Sequence, residues 1–275
     1  MTTSGSLPSA LDSWDAVVER LHGTAPVLFL DYDGTLTPIV ARPEEATLAA
    51  TSREVVRSVA ALCPVTIVSG RDRTVVEALV GLSGLGYIGS HGFDIVGPTE
   101  APVRHEVGEG HLGALDAAEA ALRDRLAGVP GAAVERKRFG VAAHYRRAPD
   151  HRAEVETAVR EVLAGAPELA LALGKAVFEL RPAIEWDKGR AIRWLLDRWP
   201  TTHGIPLHLG DDLTDEAAFA ALAHDGLGLG IVVADDDRPT AAQFSLGSPA
   251  EVHEFLERLG RILEGFSRTR HPASS

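Results

Sequence analysis

The sequence predicts an α/β fold, a doubly wound (Rossmann-like) parallel sheet interrupted by an inserted α+β domain. Three observations predict it. Short apolar runs at 27–30, 65–68 and 206–209 each end in polar or acidic residues, as buried strands do where they leave a sheet. Segments of helical period separate them, which calls for parallel pairing through right-handed crossovers. From about 102 to 182 the rhythm changes to helix, strand, strand, helix, strand, strand, and then the α/β rhythm returns.

Each element follows from local pattern. Residues 2–6 are small and polar and read as a mobile start. Leu11, Trp14, Val17, Val18 and Leu21 recur at helical spacing, and His22-Gly23 ends that helix. The strand at 27–30 follows. A helix is expected over 48–62 with Pro64 beyond its end, then a β-branched strand at 65–68, a helix at 74–80 and a strand at 87–89. In the insert, 112–126 and 152–163 are expected helices, with one hairpin over 132–147 and another over 169–181. Afterwards come a helix at 189–199, a strand at 206–210, a helix at 214–223 with Thr214 as its N-cap, a strand at 227–233 and a helix at 249–260. The tail from Arg268 reads as a frayed end. The expected organisation is therefore a core in two parts, 1–101 and 183–275, around an insert at 102–182.

Bulk properties narrow the function. The chain has 275 residues, 45% of them apolar, which suits a packed globular protein. A formal charge of -12 argues against a nucleic-acid partner, because phosphate backbones recruit basic patches. It leaves a small anionic substrate open, since a few local cations can reverse the sign inside a cleft. The single cysteine, Cys63, excludes an internal disulfide and reads as a buried thiol. The chain has no apolar run of membrane-spanning length and no basic-then-apolar leader, so no membrane partner and a cytoplasmic setting are expected, with a monomer as the starting assumption.

The chemistry concentrates where strands end. Asp31-Tyr32-Asp33-Gly34-Thr35 closes the first apolar run. Two carboxylates two positions apart can share one side of the chain; one can attack while the other handles a proton, and both suit a hard cation such as Mg2+. Ser69-Gly70-Arg71 follows the next strand and offers a hydroxyl and a close backbone approach for a phosphate oxygen. Gly210-Asp211-Asp212-Leu213-Thr214-Asp215-Glu216 follows a third. Adjacent carboxylates repel unless a cation lies between them, and a metal is the economical answer. Lys188 begins a helix, where the dipole disfavours a cation, unless nearby carboxylates and a phosphate hold it. Gly226-Leu227-Gly228-Leu229-Gly230 leads into a strand rather than a helix, so it is no dinucleotide loop.

In this order, Asp31-Tyr32-Asp33-Gly34-Thr35, Ser69, Lys188 and Gly210-Asp211-Asp212 resemble the four motifs of the haloacid dehalogenase-like (HAD) phosphatases. A closer resemblance is to trehalose-6-phosphate phosphatases, carried by the stretch from Leu30 to Val40 and by Ser69-Gly70-Arg71, Gly89-Ser90-His91-Gly92, Glu179-Leu180-Arg181-Pro182 and the Gly210 to Glu216 motif. The resemblance implies a Mg2+-dependent hydrolysis of trehalose 6-phosphate. Asp31 would be the nucleophile and Asp33 the acid and base. Asp31, the Asp33 carbonyl and Asp211 would hold the metal, Asp212 and Asp215 would support it, and Ser69 and Lys188 would bind phosphate. Gly70, Arg71 and His91 would line the substrate site. The insert would be a cap that closes as a lid and reads the sugar through Glu135, Lys137, Arg146, Lys175 and Glu179, with Glu135 and Lys137, two apart, sharing one sheet face and Lys175 and Glu179, four apart along a strand, sharing a face too. Phosphatases of glucosylglycerol or mannosylglycerate phosphate share such core motifs, and a silent sugar-phosphate-binding subunit would be expected to lack Asp31 or Asp33.

Overall fold

The computed structural model describes residues 2–40, 45–174, 176–199, 204–224, 226–234 and 236–270. Two compact units emerge, one formed by 1–105 with 186–275 and the other by 106–185.

The first unit is built on strands β1 (Val27–Asp31), β2 (Val65–Val68), β3 (Gly86–Gly89), β4 (Asp94–Val96), β5 (Arg104–Glu106), and, after the insert, β10 (Pro206–Gly210), β11 (Leu229–Val233) and β12 (Phe244–Leu246). Their order in the sheet is β12-β11-β10-β1-β2-β3-β4-β5, parallel from β12 through β3 and antiparallel between β3 and β4. Helices α1 (Trp14–Arg20), α2 (Ala50–Ala60), α3 (Arg73–Val80), α6 (Lys188–Asp197), α7 (Glu216–His224) and α8 (Pro249–Arg270) cover it.

The alternation of side chains along β1 decides which layer each residue serves. Leu28 and Leu30 join Val17, Val56, Val76 and Phe255 on one face, whereas Val27 and Phe29 join Ile192, Leu195 and Leu222 on the other. Asp31 has the same parity as Phe29, so it belongs with the face covered by α6 and α7. The same count along β10 puts Leu207 and Leu209 on the first face and His208 on the second, where its ring packs 5.2 Å from that of Phe219. Three strand ends, β1, β2 and β10, thus converge at the carboxyl edge near the middle of the sheet, where open α/β sheets place ligands.

Several expectations are refined. The strands β4, β5 and β12 were not predicted, being three residues long and too short for a periodic signal. Helix α1 begins at Trp14, because 11–13 form turns instead. Helix α8 runs ten residues past its expected end at 260, to Arg270, so the tail is helical from Arg268 to Arg270, and 271–275 lie outside the described residues. The start of the chain is not loose: Ser4 is buried, its hydroxyl donates to the Asp236 carbonyl at 2.6 Å, and Thr3 bridges to Pro239. Cys63 is buried, and burial pushes its thiol up to about 12.

The second unit carries β6 (Ala133–Lys137), β7 (Gly140–His144), β8 (Leu169–Gly174) and β9 (Val177–Pro182) in the antiparallel order β6-β7-β9-β8, with α4 (Leu112–Leu126) and α5 (Arg152–Ala164). Val141, Ala143, Phe178 and Leu180 pack with Leu115, Leu122, Val155 and Val159 on the helix-covered face. The alternate positions, among them Glu135, Lys137, His144, Glu179 and Arg181, therefore share the opposite face.

Candidate active site

Two aspartates and one lysine form the centre. Asp31, the last residue of β1, is 4% exposed, and Lys188, the first residue of α6, is 2% exposed. The ammonium of Lys188 donates to Asp31 Oδ1 and to Asp215 Oδ1, each at 2.7 Å. Asp187 caps α6 by accepting from the Arg190 N–H at 2.8 Å, so the helix begins where the lysine is needed. A cation at a helix start is disfavoured by the dipole, and two carboxylates overcome that cost here. Burial opposes the charge on Lys188, yet Asp215 and Asp31 together raise its pKa, so the ammonium stays protonated.

Asp215 is fully buried, and three donors hold it. Lys188 and His208 Nε2, the latter at 2.9 Å, reach Oδ1, and the Asp212 N–H reaches Oδ2 at 3.1 Å. Burial alone would raise its pKa, but Lys188 and His208 outweigh that and hold it well below the usual carboxylate range. Asp212 is the N-cap of the turn Leu213–Asp215 and accepts from the Leu213 N–H at 2.6 Å. This corrects the expected cap: Thr214 is not the N-cap, and its hydroxyl instead lies 3.4 Å from Asp212 Oδ2. Either residue type can cap, and only the backbone path chooses between them.

Asp31, Asp211 and Asp215 bring carboxylate oxygens within 4.8 Å of one another. Burial raises the Asp31 pKa well above the carboxylate range; Lys188 works against this, and Asp215 and Asp211 add to it. Burial, with Asp215 beside it, pushes Asp211 up to about 7. Asp211 Oδ1 is buried with no hydrogen-bond partner among the described residues. Gly34, at φ +82°, makes the space: a Cβ there would come within 2.0 Å of Asp211 Oδ2. Crowded carboxylates with an orphaned oxygen fit a divalent cation. Asp215 already accepts three hydrogen bonds, so Asp31 and Asp211 are the better side-chain ligands of the three.

The Asp33 carboxylate is not part of this oxygen cluster. Its carboxylate is gripped by Arg71 through Nε at 2.7 Å and Nη2 at 2.6 Å, a bidentate pair. Ser69, buried at the end of β2, accepts from the Arg71 N–H at 3.1 Å. His91 lies directly over Gly70, where a Cβ would come within 2.4 Å of its Cε1, and its N–H donates to the Ser69 carbonyl at 3.0 Å. Ser90 and His91 both have positive φ, 50° and 57°, a strained pair of the kind found at functional sites.

On the sheet face of the second unit opposite α4 and α5, Glu179 is buried and accepts from Lys137 Nζ at 3.2 Å and from Arg181 Nη2 at 2.6 Å. Glu135 lies 2.7 Å from His144 Nε2. Glu135, Ala142, Glu179 and Ala172 stand in one cross-strand row. Arg146 is in the turn after β7 and not on this strand face, and Lys175 lies outside the described residues.

Sequence reasoning missed three side chains that hold these carboxylates, and the burial of one hydroxyl inside the first motif. His208 holds Asp215; its signal was a lone polar residue between apolar neighbours in a buried strand. Thr35 is fully buried with its hydroxyl unpartnered among the described residues. His144 and Arg181 pair with Glu135 and Glu179, through a strand register that the sequence does not display.

Comparisons with known proteins agree in direction. A family model described as trehalose-phosphatase matches residues 29–250. The trehalose-phosphate phosphatase of Mycobacterium marinum is 44% identical over 261 residues, covering 94% of this chain and 67% of that protein. Probable trehalose-phosphate phosphatase 9 of Oryza sativa subsp. japonica is 43% identical, covering 92% of this chain and 74% of that one. The chain spans about two thirds of the length of the mycobacterial relatives. Among solved structures, a trehalose-6-phosphate phosphatase related protein has a TM-score of 0.74 at 27% identity, covering 86% of this chain and 97% of its own. The C-terminal domain of C. albicans trehalose-6-phosphate phosphatase has a TM-score of 0.76 at 24% identity, covering 93% and 98%, which speaks to the fold.

Proposed function

The chain belongs to the trehalose-phosphatase family and is a phosphoric monoester hydrolase acting on trehalose 6-phosphate, and we propose that it works through an aspartyl-phosphate on Asp31. The observation that carries this reading is the buried ammonium of Lys188 set between Asp31 and Asp215.

In this reading an Asp31 oxygen attacks phosphorus, the bond from phosphorus to the sugar oxygen breaks, and Asp33 gives that oxygen a proton. Asp33 then takes a proton from water, whose oxygen attacks the aspartyl-phosphate and frees Asp31 and inorganic phosphate. Lys188 offsets the charge of nucleophile and phosphoryl group together. It has three N–H bonds, and two are committed to Asp31 and Asp215, which leaves one for a phosphoryl oxygen. Ser69, the Gly70 backbone and His91 complete the phosphate side. Arg71 holds Asp33 in this structure, and an arriving phosphate gives the guanidinium a second anion to bind, which frees Asp33 for proton transfer. Mg2+, held by Asp31, Asp211 and the Asp33 carbonyl, supplies Lewis-acid stabilisation of phosphoryl charge when bound. Asp212 and Asp215 support that set, Asp212 by capping and Asp215 through Lys188.

Sugar choice is assigned to Glu135, Lys137 and Glu179 of the second unit, with Arg146 and Lys175 as further candidates. Mixed acids and bases supply the donors and acceptors that disaccharide hydroxyls need. The test is phosphate release across trehalose 6-phosphate, glucosylglycerol phosphate, mannosylglycerate phosphate and monosaccharide phosphates, with and without EDTA. Trehalose 6-phosphate is expected to lead the series, and EDTA to stop release until Mg2+ is restored. Faster turnover of a rival sugar, or indifference to EDTA, would sink the substrate or the metal assignment respectively.

A further inference from the structure

His208 is fully buried in the middle of β10, on the face of the sheet that carries Asp31. An imidazole in such a place costs free energy unless both ring nitrogens find partners. Here both do. Nδ1 lies 3.1 Å from the Phe29 carbonyl on the neighbouring strand β1, and Nε2 lies 2.9 Å from Asp215 Oδ1. Both partners are acceptors, so the two contacts together call for a hydrogen on each ring nitrogen, and the one with Asp215 calls for it on Nε2. The Asp215 oxygen that meets His208 is the same one that receives Lys188, and the same ammonium also meets Asp31.

We propose that His208 is a positioning residue for phosphoryl transfer: its Nε2–H pins the Asp215 carboxylate, and Asp215 in turn fixes where the Lys188 ammonium rests on Asp31. The reason is mechanical. A lysine ammonium ends a flexible four-carbon stem and makes no directional fork of its own, so its place is set by the anions it meets. Asp215 can set that place only if its own carboxylate cannot rotate. The Asp212 N–H restrains Oδ2, and His208 restrains Oδ1, using β1 as a backstop through the Phe29 carbonyl. Burial beside Phe219 on the α6–α7 side of the core shuts the ring away from bulk solvent. The effect reaches chemistry without His208 touching substrate, so it should appear in kcat rather than in KM.

The inference rests on the aspartyl-phosphate reading. Its test compares His208→Gln, His208→Asn and His208→Leu in the full chain, with steady-state kinetics on trehalose 6-phosphate, thermal unfolding and 15N NMR of the imidazole. A glutamine amide reaches the place of Nε2, whereas an asparagine amide reaches only that of Nδ1. We expect Leu and Asn to lower kcat by roughly 10- to 100-fold with KM little changed, as losses behind a directly acting group usually do, and Gln to recover most of it. The NMR spectrum is expected to show a hydrogen on Nε2. Leu and Asn variants with wild-type kcat, a Gln variant as slow as Leu, or an Nε2 without hydrogen would each overturn the proposal. Should the Leu variant not fold, the Gln and Asn pair and the spectrum still decide. A wild-type protein that releases no phosphate from trehalose 6-phosphate defeats the underlying reading, and this inference with it. An active wild type with insensitive variants defeats this inference alone.

Discussion

The two units use the same side-chain chemistry, acids paired with lysine, arginine or histidine, under opposite physical conditions. In the first unit the pairs sit in the interior around the end of β1: Asp31, Asp215, Lys188 and His208 are all at most 4% exposed. In the second they stand on a sheet face. Glu179 is buried there, but Lys137 keeps 24% and Glu135 52% of its side chain in solvent, and the small residues Gly140 and Ala142 lie opposite them on β7. A desolvated charge interacts strongly and cannot move without penalty, which suits bond making. A half-solvated charge exchanges partners at little cost, which suits recognition of hydroxyl groups.

The contrast predicts unequal responses to mutation. The largest is at Asp31: Asp31→Asn should lower phosphate release by at least about a thousandfold, as loss of a covalent nucleophile does, and a variant within tenfold (about 1.4 kcal/mol) of wild type would refute its role. Next comes Lys188→Met, which leaves Asp31 and Asp215 buried without their cation. It should destabilise the fold by about 3–5 kcal/mol in denaturant unfolding, besides abolishing turnover. If the loss were no larger than for a surface lysine, the claim of a rigid buried set would fall.

In the second unit the effects should be smaller and selective. Glu179→Gln is expected to reduce kcat/KM on trehalose 6-phosphate by roughly 10- to 100-fold, the value of one charged hydrogen bond, while hydrolysis of p-nitrophenyl phosphate stays unchanged. Equal loss on both substrates would move Glu179 from recognition to folding. The smallest effect concerns Glu135. Its hydrogen bond with His144 lowers its pKa against the opposing pull of burial, so the pair contributes stability above the usual carboxylate range and loses it as pH falls through the lowered value. The side chain is half exposed, so the contribution should be under about 1 kcal/mol. Unfolding midpoints of wild type and Glu135→Gln should differ at pH 6 and converge below the titration of Glu135; a difference that persisted in acid would exclude the linkage.

Much of the core was legible because strand ends and their acids are local patterns. The runs of apolar residues at β1 and β10 marked both strands and put their acids at the strand ends, whereas the face that Asp31 joins came only from the packing around Val27 and Phe29. What escaped was whatever depended on a partner far along the chain. His208 looks like an odd polar residue until β10 is laid beside β1 and Asp215 folds back beneath it. His144 and Arg181 acquire meaning only from the register of β6, β7 and β9. The choice of Asp212 over Thr214 as cap turned on backbone angles that composition does not encode. Three-residue strands such as β4 carry no period to detect.

Cys63 has a practical consequence. It is the one cysteine in the chain, shut away from solvent, and its thiol is held protonated far above neutral pH, so maleimides and other thiol-directed labels should pass it by. A cysteine introduced at one exposed position in each unit, for instance at Val75 and Leu173, then gives a doubly labelled molecule without first removing a native thiol. Spin or fluorophore pairs placed this way would read the distance between the units directly, with and without sugar phosphate.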